Sequence, residues 1–142
     1  MIGVILTSHS EMALGATKSC DMVIGNHDKC EYVCLCDGVD SFAKELHAKA
    51  DEMLAKYDEV IFICDLKGGT PYNQSLNYKL TKGKDKVQIV CGFNLPMLAE
   101  LFISLPFAES AQDLAETIAN TGKSSIEVYK DEAIEDDDDM FD

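Results

Sequence analysis

The sequence predicts a doubly wound α/β domain. Its core is a mainly parallel four-stranded sheet in the order 2-1-3-4, with helices on both faces and a short C-terminal fifth strand. Three observations carry this. Apolar runs at residues 2–6, 31–36, 59–64 and 86–91 alternate with stretches of helical periodicity. The first run, IGVIL, has no polar interruption, as expected of a strand covered on both faces. The last candidate strand, SSIEVYK at 124–130, alternates instead, which suits a sheet edge or exchange with a second copy of the chain.

The elements follow in order. After the first strand, residues 11–24 read as a helix with Met12, Ala13, Ala16, Cys20, Val23 and Ile24 on one stripe, broken by GNHDK. EYVCLC at 31–36 is the second strand. Asp40 is a candidate N-cap for a helix over 41–57, where Phe42, Leu46, Ala50, Met53, Leu54 and Tyr57 recur at helical spacing. EVIFIC is the third strand. Thr70 can cap the next helix, with Pro71 in its first turn, where a missing N–H costs little. KVQIVC is the fourth strand. Helices over 95–103 and 110–120 follow, the second stopped by Gly122.

Residues 1–130 form one domain by length. Residues 131–142, DEAIEDDDDMFD, are an acidic tail expected to be disordered. The formal charge is −14, of which residues 1–130 carry −6. All 12 basic residues are lysines, so there is no basic stripe for nucleic acid and no arginine to clamp a phosphate from two sides. No apolar run approaches the ~20 residues of a membrane span, and the first residues lack the basic start of a secretory signal. The six cysteines then read as small buried hydrophobes in a reducing cytoplasm.

Sites in such sheets form outside the carboxyl ends of the strands, where the winding reverses. His9 lies where the first strand meets a helix N-terminus, which favours an anion. Its neutral ring can attack phosphorus near neutral pH. Asp65, at the end of the neighbouring third strand, is positioned to fix the ring's tautomer. Gly68 and Gly69 let backbone N–H groups approach an oxyanion, and Thr70 and Ser10 add hydroxyls. Ser8, Lys67, Phe93 and Asn94 are placed on the rim that faces a partner. The glycines are followed by neither a Walker lysine nor a dinucleotide fingerprint, so no cofactor and no metal are expected. His27, in a turn, and His47, on a helix away from the apolar stripe, read as surface histidines.

GVILTSHSEMALG, CDLKGGTPYNQS and CGFNLPMLAE resemble, in order and spacing, the signature regions of the mannose-type IIA component of the bacterial phosphoenolpyruvate-dependent sugar phosphotransferase system. The resemblance covers residues 1–130. It implies a cytoplasmic phosphocarrier that takes a phosphoryl group from HPr on His9, oriented by Asp65, and passes it to a separate IIB component. The membrane permease IIC/IID is reached indirectly. It also implies a homodimer that exchanges its last strand. Relatives often have glycine after the histidine and phenylalanine before Gly-Gly; here these are Ser10 and Lys67. The alternatives are the phosphotransfer subunit of dihydroxyacetone kinase, a receiver domain phosphorylated on Asp65, and a non-enzymatic flavodoxin-like binding module.

Overall fold

The computed structural model describes residues 1–25 and 30–131. Four strands, β1 (Ile2–His9), β2 (Cys30–Leu35), β3 (Glu59–Cys64) and β4 (Val87–Cys91), form one sheet in the order β2-β1-β3-β4. All three pairings are parallel. Five helices connect or follow them: α1 (Met12–Val23), α2 (Val39–Lys56), α3 (Thr70–Tyr78), α4 (Leu95–Ser104) and α5 (Ala111–Ser124). The expected doubly wound sheet and strand order are therefore present.

Strand alternation divides the apolar residues into two cores. Val4 and Leu6 of β1, with Ile61 and Ile63 of β3, point to one face and meet α1, α4 and α5. Ile5 of β1, with Val60 and Phe62 of β3, points to the other face and meets α2 and α3. The two central strands are thus buried on both sides, which is why their sequences are continuously apolar. Each fully buried Leu, Ile or Phe here contributes ~1.5–3 kcal/mol. On α2, Phe42, Leu46, Ala50 and Met53 are buried, as the helical spacing predicts.

Several expectations need correction. Met12 and Val23 are exposed; only Ala13 and Cys20 of the α1 stripe are fully buried. Asp40 does not cap α2: Gly38 holds the N-cap position, and Asp40 lies in the first turn. Likewise Gly69, not Thr70, precedes α3, because Thr70 is already helical. Gly122 does not stop α5. It is buried against α4, where a Cβ would lie 2.8 Å from the Met97 methyl, so its lack of a side chain lets the two helices approach.

Residues 126–131 form no strand in the single chain; they are exposed, with Ile126, Val128 and Tyr129 facing outward. Alternation gives such a segment a strand pattern but not a partner, and a strand exists only by its ladder. The cysteines are less uniform than expected. Cys20 and Cys64 are buried, Cys30, Cys34 and Cys91 are half-buried, and Cys36 is exposed. His27 and residues 132–142 lie outside the described residues.

Candidate functional site

The register of β1 on β3 pairs Thr7 with Cys64, so the next residues of the two chains, including His9 and Asp65, leave the sheet side by side. His9 Nδ1 lies 2.9 Å from Asp65 Oδ2. The backbone N–H of His9 donates to the same oxygen, also at 2.9 Å. The Asp65 side chain is 9% exposed and that of His9 46% exposed. A carboxylate that accepts from the ring fixes the proton on Nδ1 and leaves the Nε2 lone pair free. The imidazole is held at its inner nitrogen and half open to solvent.

The backbone around it is pinned. Ser10 has φ +51, a left-handed conformation that costs a non-glycine residue ~1–2 kcal/mol. Its N–H donates to Leu35 O at 2.8 Å, which ties the end of β1 to the end of β2 and holds the strained turn. The glycine that relatives often carry here would meet the same φ without strain. Ser8 is fully buried: its hydroxyl accepts the Ala13 N–H at 2.7 Å and donates to Ser10 O at 3.1 Å. Ser8 is therefore not on the rim. It fills the first turn of α1, satisfying a donor that the helix itself leaves unpaired.

The Asp65–Asn73 loop supplies the other wall. Leu66 O accepts the Gly69 N–H at 3.2 Å, and Gly68 between them has φ +83. That combination is a type II turn, which needs a residue free to adopt positive φ at its third position. Asn73 Nδ2 donates to Gly68 O at 3.1 Å and locks the turn to α3. Gly69 lies flat against the imidazole: a Cβ there would stand 2.7 Å from His9 Cε1 and 3.3 Å from Nε2. The start of α3 thus adjoins the free nitrogen. Gly69→Ala is expected to push the ring off Asp65, because the ring's other side chain contact is fixed. Phosphoryl uptake should fall at least tenfold while far-UV circular dichroism stays unchanged; unaltered uptake would show that the close approach is dispensable.

Two further rim assignments change. Phe93 is buried in the core beneath α4. Asn94 is a structural cap: its Oδ1 accepts the Met97 N–H at 3.0 Å, and its Nδ2 donates to Gly122 O at 3.0 Å, joining the start of α4 to α5. A half-buried cap that bridges two helices looks, in sequence, like any polar residue after a strand. Lys67 is exposed at the turn corner. What periodicity hides is an apolar surround: Met12 is 53% and Leu66 59% exposed, with Leu95 at the start of α4 also exposed. Met12 and Leu95 border a groove of about 210 Å³ over Ala16, Phe93 and Leu98.

Competing nucleophiles are disfavoured. Burial pushes the Cys64 thiol up to about 12, with a smaller contribution from the adjacent Asp65 charge. His47 is half-buried on α2, its ring edge-to-face with Tyr78 at 5.3 Å, so it is not the plain surface histidine expected.

A family model described as "PTS system fructose IIA component" matches residues 3–119. The chain belongs to this family. Among PTS IIA relatives, the chain is 25% identical over 137 residues to the PTS system mannose-specific EIIAB component of Escherichia coli (strain K12), covering 94% of this chain and 41% of that protein. It thus spans about two fifths of that relative. It is also 25% identical over 130 residues to the PTS system fructose-specific EIIA component of Bacillus subtilis (strain 168), covering 90% of this chain and 86% of that one. The mannose/sorbose specific IIA subunit of the phosphotransferase system from Enterococcus faecalis superposes with a TM-score of 0.79 at 27% identity, over 93% of this chain and 97% of the other. Among the described residues of this PTS IIA chain, no helix is long and apolar enough to cross a membrane.

Proposed function

We propose that residues 1–130 act as a phosphocarrier of the sugar phosphotransferase system, with His9 as phosphoacceptor and Asp65 as the residue that orients it. The observation that carries this reading is the 2.9 Å contact between His9 Nδ1 and Asp65 Oδ2 beside an open Nε2. The Nε2 lone pair attacks the phosphorus of phospho-HPr. The bond from phosphorus to the donor's nitrogen breaks, the donor histidine keeps that electron pair, and a new P–Nε2 bond forms in line. Asp65 stabilises the positive charge that the ring acquires, as a carboxylate does for an imidazolium. Transfer to a histidine or cysteine of a IIB component reverses these steps. The Gly68 and Thr70 N–H groups, in the turn and at the start of α3, and the Thr70 hydroxyl would receive the phosphoryl oxygens, since Gly69 between them adjoins Nε2.

Family membership supports the same reading, as does the exposed apolar surround of Met12, Leu66 and Leu95, a surface suited to a protein donor and acceptor. On this reading the protein works in the cytoplasm and meets the membrane permease IIC/IID through IIB. It works as a homodimer in which the alternating segment 126–131 pairs with the open edge of β4 in a second copy. A receiver domain is disfavoured because Asp65 is committed to His9 and the end of β1 offers Ser8, His9 and Ser10 in place of a carboxylate pair.

The test is incubation with phosphoenolpyruvate, enzyme I and HPr. The expected product carries phosphate that is lost in acid, survives base and maps to His9. Absence of label, or a base-labile label on Asp65, would overturn the reading.

A further inference from the structure

The loops that ring His9 are short of positive charge. Residues 8–16, 36–41, 65–73 and 92–98 follow the four strand ends, and they contain the acids Glu11, Asp37, Asp40 and Asp65. Their one lysine is Lys67. The acids crowd the β2 side. There the exposed Cys36 thiol is pushed up, by desolvation first and then by the charges of Cys34, Glu11, Asp37 and Glu45. A phosphoryl group with close to two negative charges must settle on this background.

Backbone donors offset it only in part, because several near the ring are already engaged. The His9 N–H goes to Asp65, the Ser10 N–H to Leu35, the Ala13 N–H to Ser8 and the Gly69 N–H to Leu66. Pro71 removes another from the first turn of α3. In the turn beside the ring, the N–H groups of Gly68 and Thr70 are left to meet the phosphoryl oxygens.

Lys67 follows β3, whereas Glu11 follows β1 and Asp37 and Asp40 follow β2. It occupies the corner of the Leu66–Gly69 turn, two residues before the glycine that touches the ring edge bearing Nε2. Two peptide steps span at most ~7.6 Å between Cα atoms, and a four-carbon stem with free rotation covers the rest. Lys67 is exposed, and its ammonium has no partner among the described residues. We infer that Lys67 folds over His9 and supplies the positive charge that holds the phosphoryl group on Nε2. This rests on the phosphocarrier reading and deepens it: the loop lysine, rather than a cradle of backbone amides alone, neutralises the transferring group.

A small donor separates this role from partner docking. With phosphoramidate, the P–N bond of the donor breaks, ammonia leaves with the electron pair, and phosphorus bonds to His9 Nε2 while Nδ1–H stays on Asp65. No protein surface is involved. Lys67→Gln is expected to slow this labelling about fivefold, the effect of one cation near a phosphate in a largely aqueous setting. Lys67→Arg should retain most of the rate. Sodium chloride should lower the ratio of the wild-type rate to that of Lys67→Gln, because salt screens the attraction of the lysine only where the lysine is present, while the acids are common to both. Equal rates for the wild type and Lys67→Gln with phosphoramidate would overturn the inference, and so would a defect confined to HPr. If the wild type takes no label at His9 from either donor, the phosphocarrier reading falls and this inference falls with it. A labelled wild type beside an unaffected Lys67→Gln removes the lysine's role alone.

Discussion

Glutamine at position 9 is expected to reduce phosphoryl uptake from phosphoenolpyruvate, enzyme I and HPr to background, at least a thousandfold below the wild type. An amide has no lone pair basic enough to attack phosphorus, and among the described residues neither Cys64 nor His47 offers a substitute. The Cys64 thiol is buried and held protonated, and His47 packs on α2 against Tyr78. The fold should survive, because the His9 side chain is half-exposed and makes its polar contact through Asp65. The backbone N–H bond to Asp65 persists in His9→Gln, so the thermal midpoint should move by no more than about 4 °C, equivalent to ~1 kcal/mol in a domain of this size. Scintillation counting of labelled protein, beside thermal denaturation, reads both. Residual label at another residue would mean that the acceptor has been misassigned.

Asparagine at position 65 should slow uptake on the order of 100-fold, the scale on which losing the carboxylate behind a working histidine is felt. The geometry gives the reason. Oδ2 accepts both the ring and the backbone N–H of His9, and Oδ1 is buried without a hydrogen-bond partner. An amide can place its oxygen at the first position only by burying its NH2 at the second, where no acceptor waits. The reverse orientation sets NH2 against a backbone donor and forces the ring to the other tautomer. Either way the negative charge that supports a phosphorylated ring is gone. The rate should recover in Asp65→Glu only if the longer chain can fold back onto Nδ1. A rate unchanged in Asp65→Asn, measured in single turnovers with phospho-HPr, would show that ring orientation does not limit transfer.

The fold was legible because its central strands are unbroken apolar runs separated by stretches long enough to be helices. Phe62, Ile5 and Leu6 could belong nowhere but a sheet covered on both sides. His9 and Asp65 were legible for a related reason. Strand ends are known once strands are, and adjacent parallel strands deliver their next residues to one crevice. The rest of the site depends on which polar groups the backbone consumes, and residue type does not reveal that. Ser8 and Asn94 look like site residues in sequence, yet both hydroxyl and amide are spent on helix ends. Thr70 looks like a cap, but Gly69 already occupies the position because the type II turn before it delivers the chain one residue early. Met12 obeys the buried periodicity of α1 and still faces outward, beside the groove it borders with Leu95. The strand pattern at 124–130 states a capacity that a single chain does not exercise: Ser124 ends α5 and the rest forms no strand.

One oxygen atom grips the histidine at two points, ring and main chain, and this has a kinetic meaning. The imidazole is held in place before any cargo arrives, so on the proposed reading charging and discharging it would call for no swing of the side chain. A carrier serving two docking proteins in succession would gain from such an arrangement, since both would meet the same nitrogen at the same angle and neither exchange would wait for the relay to reset.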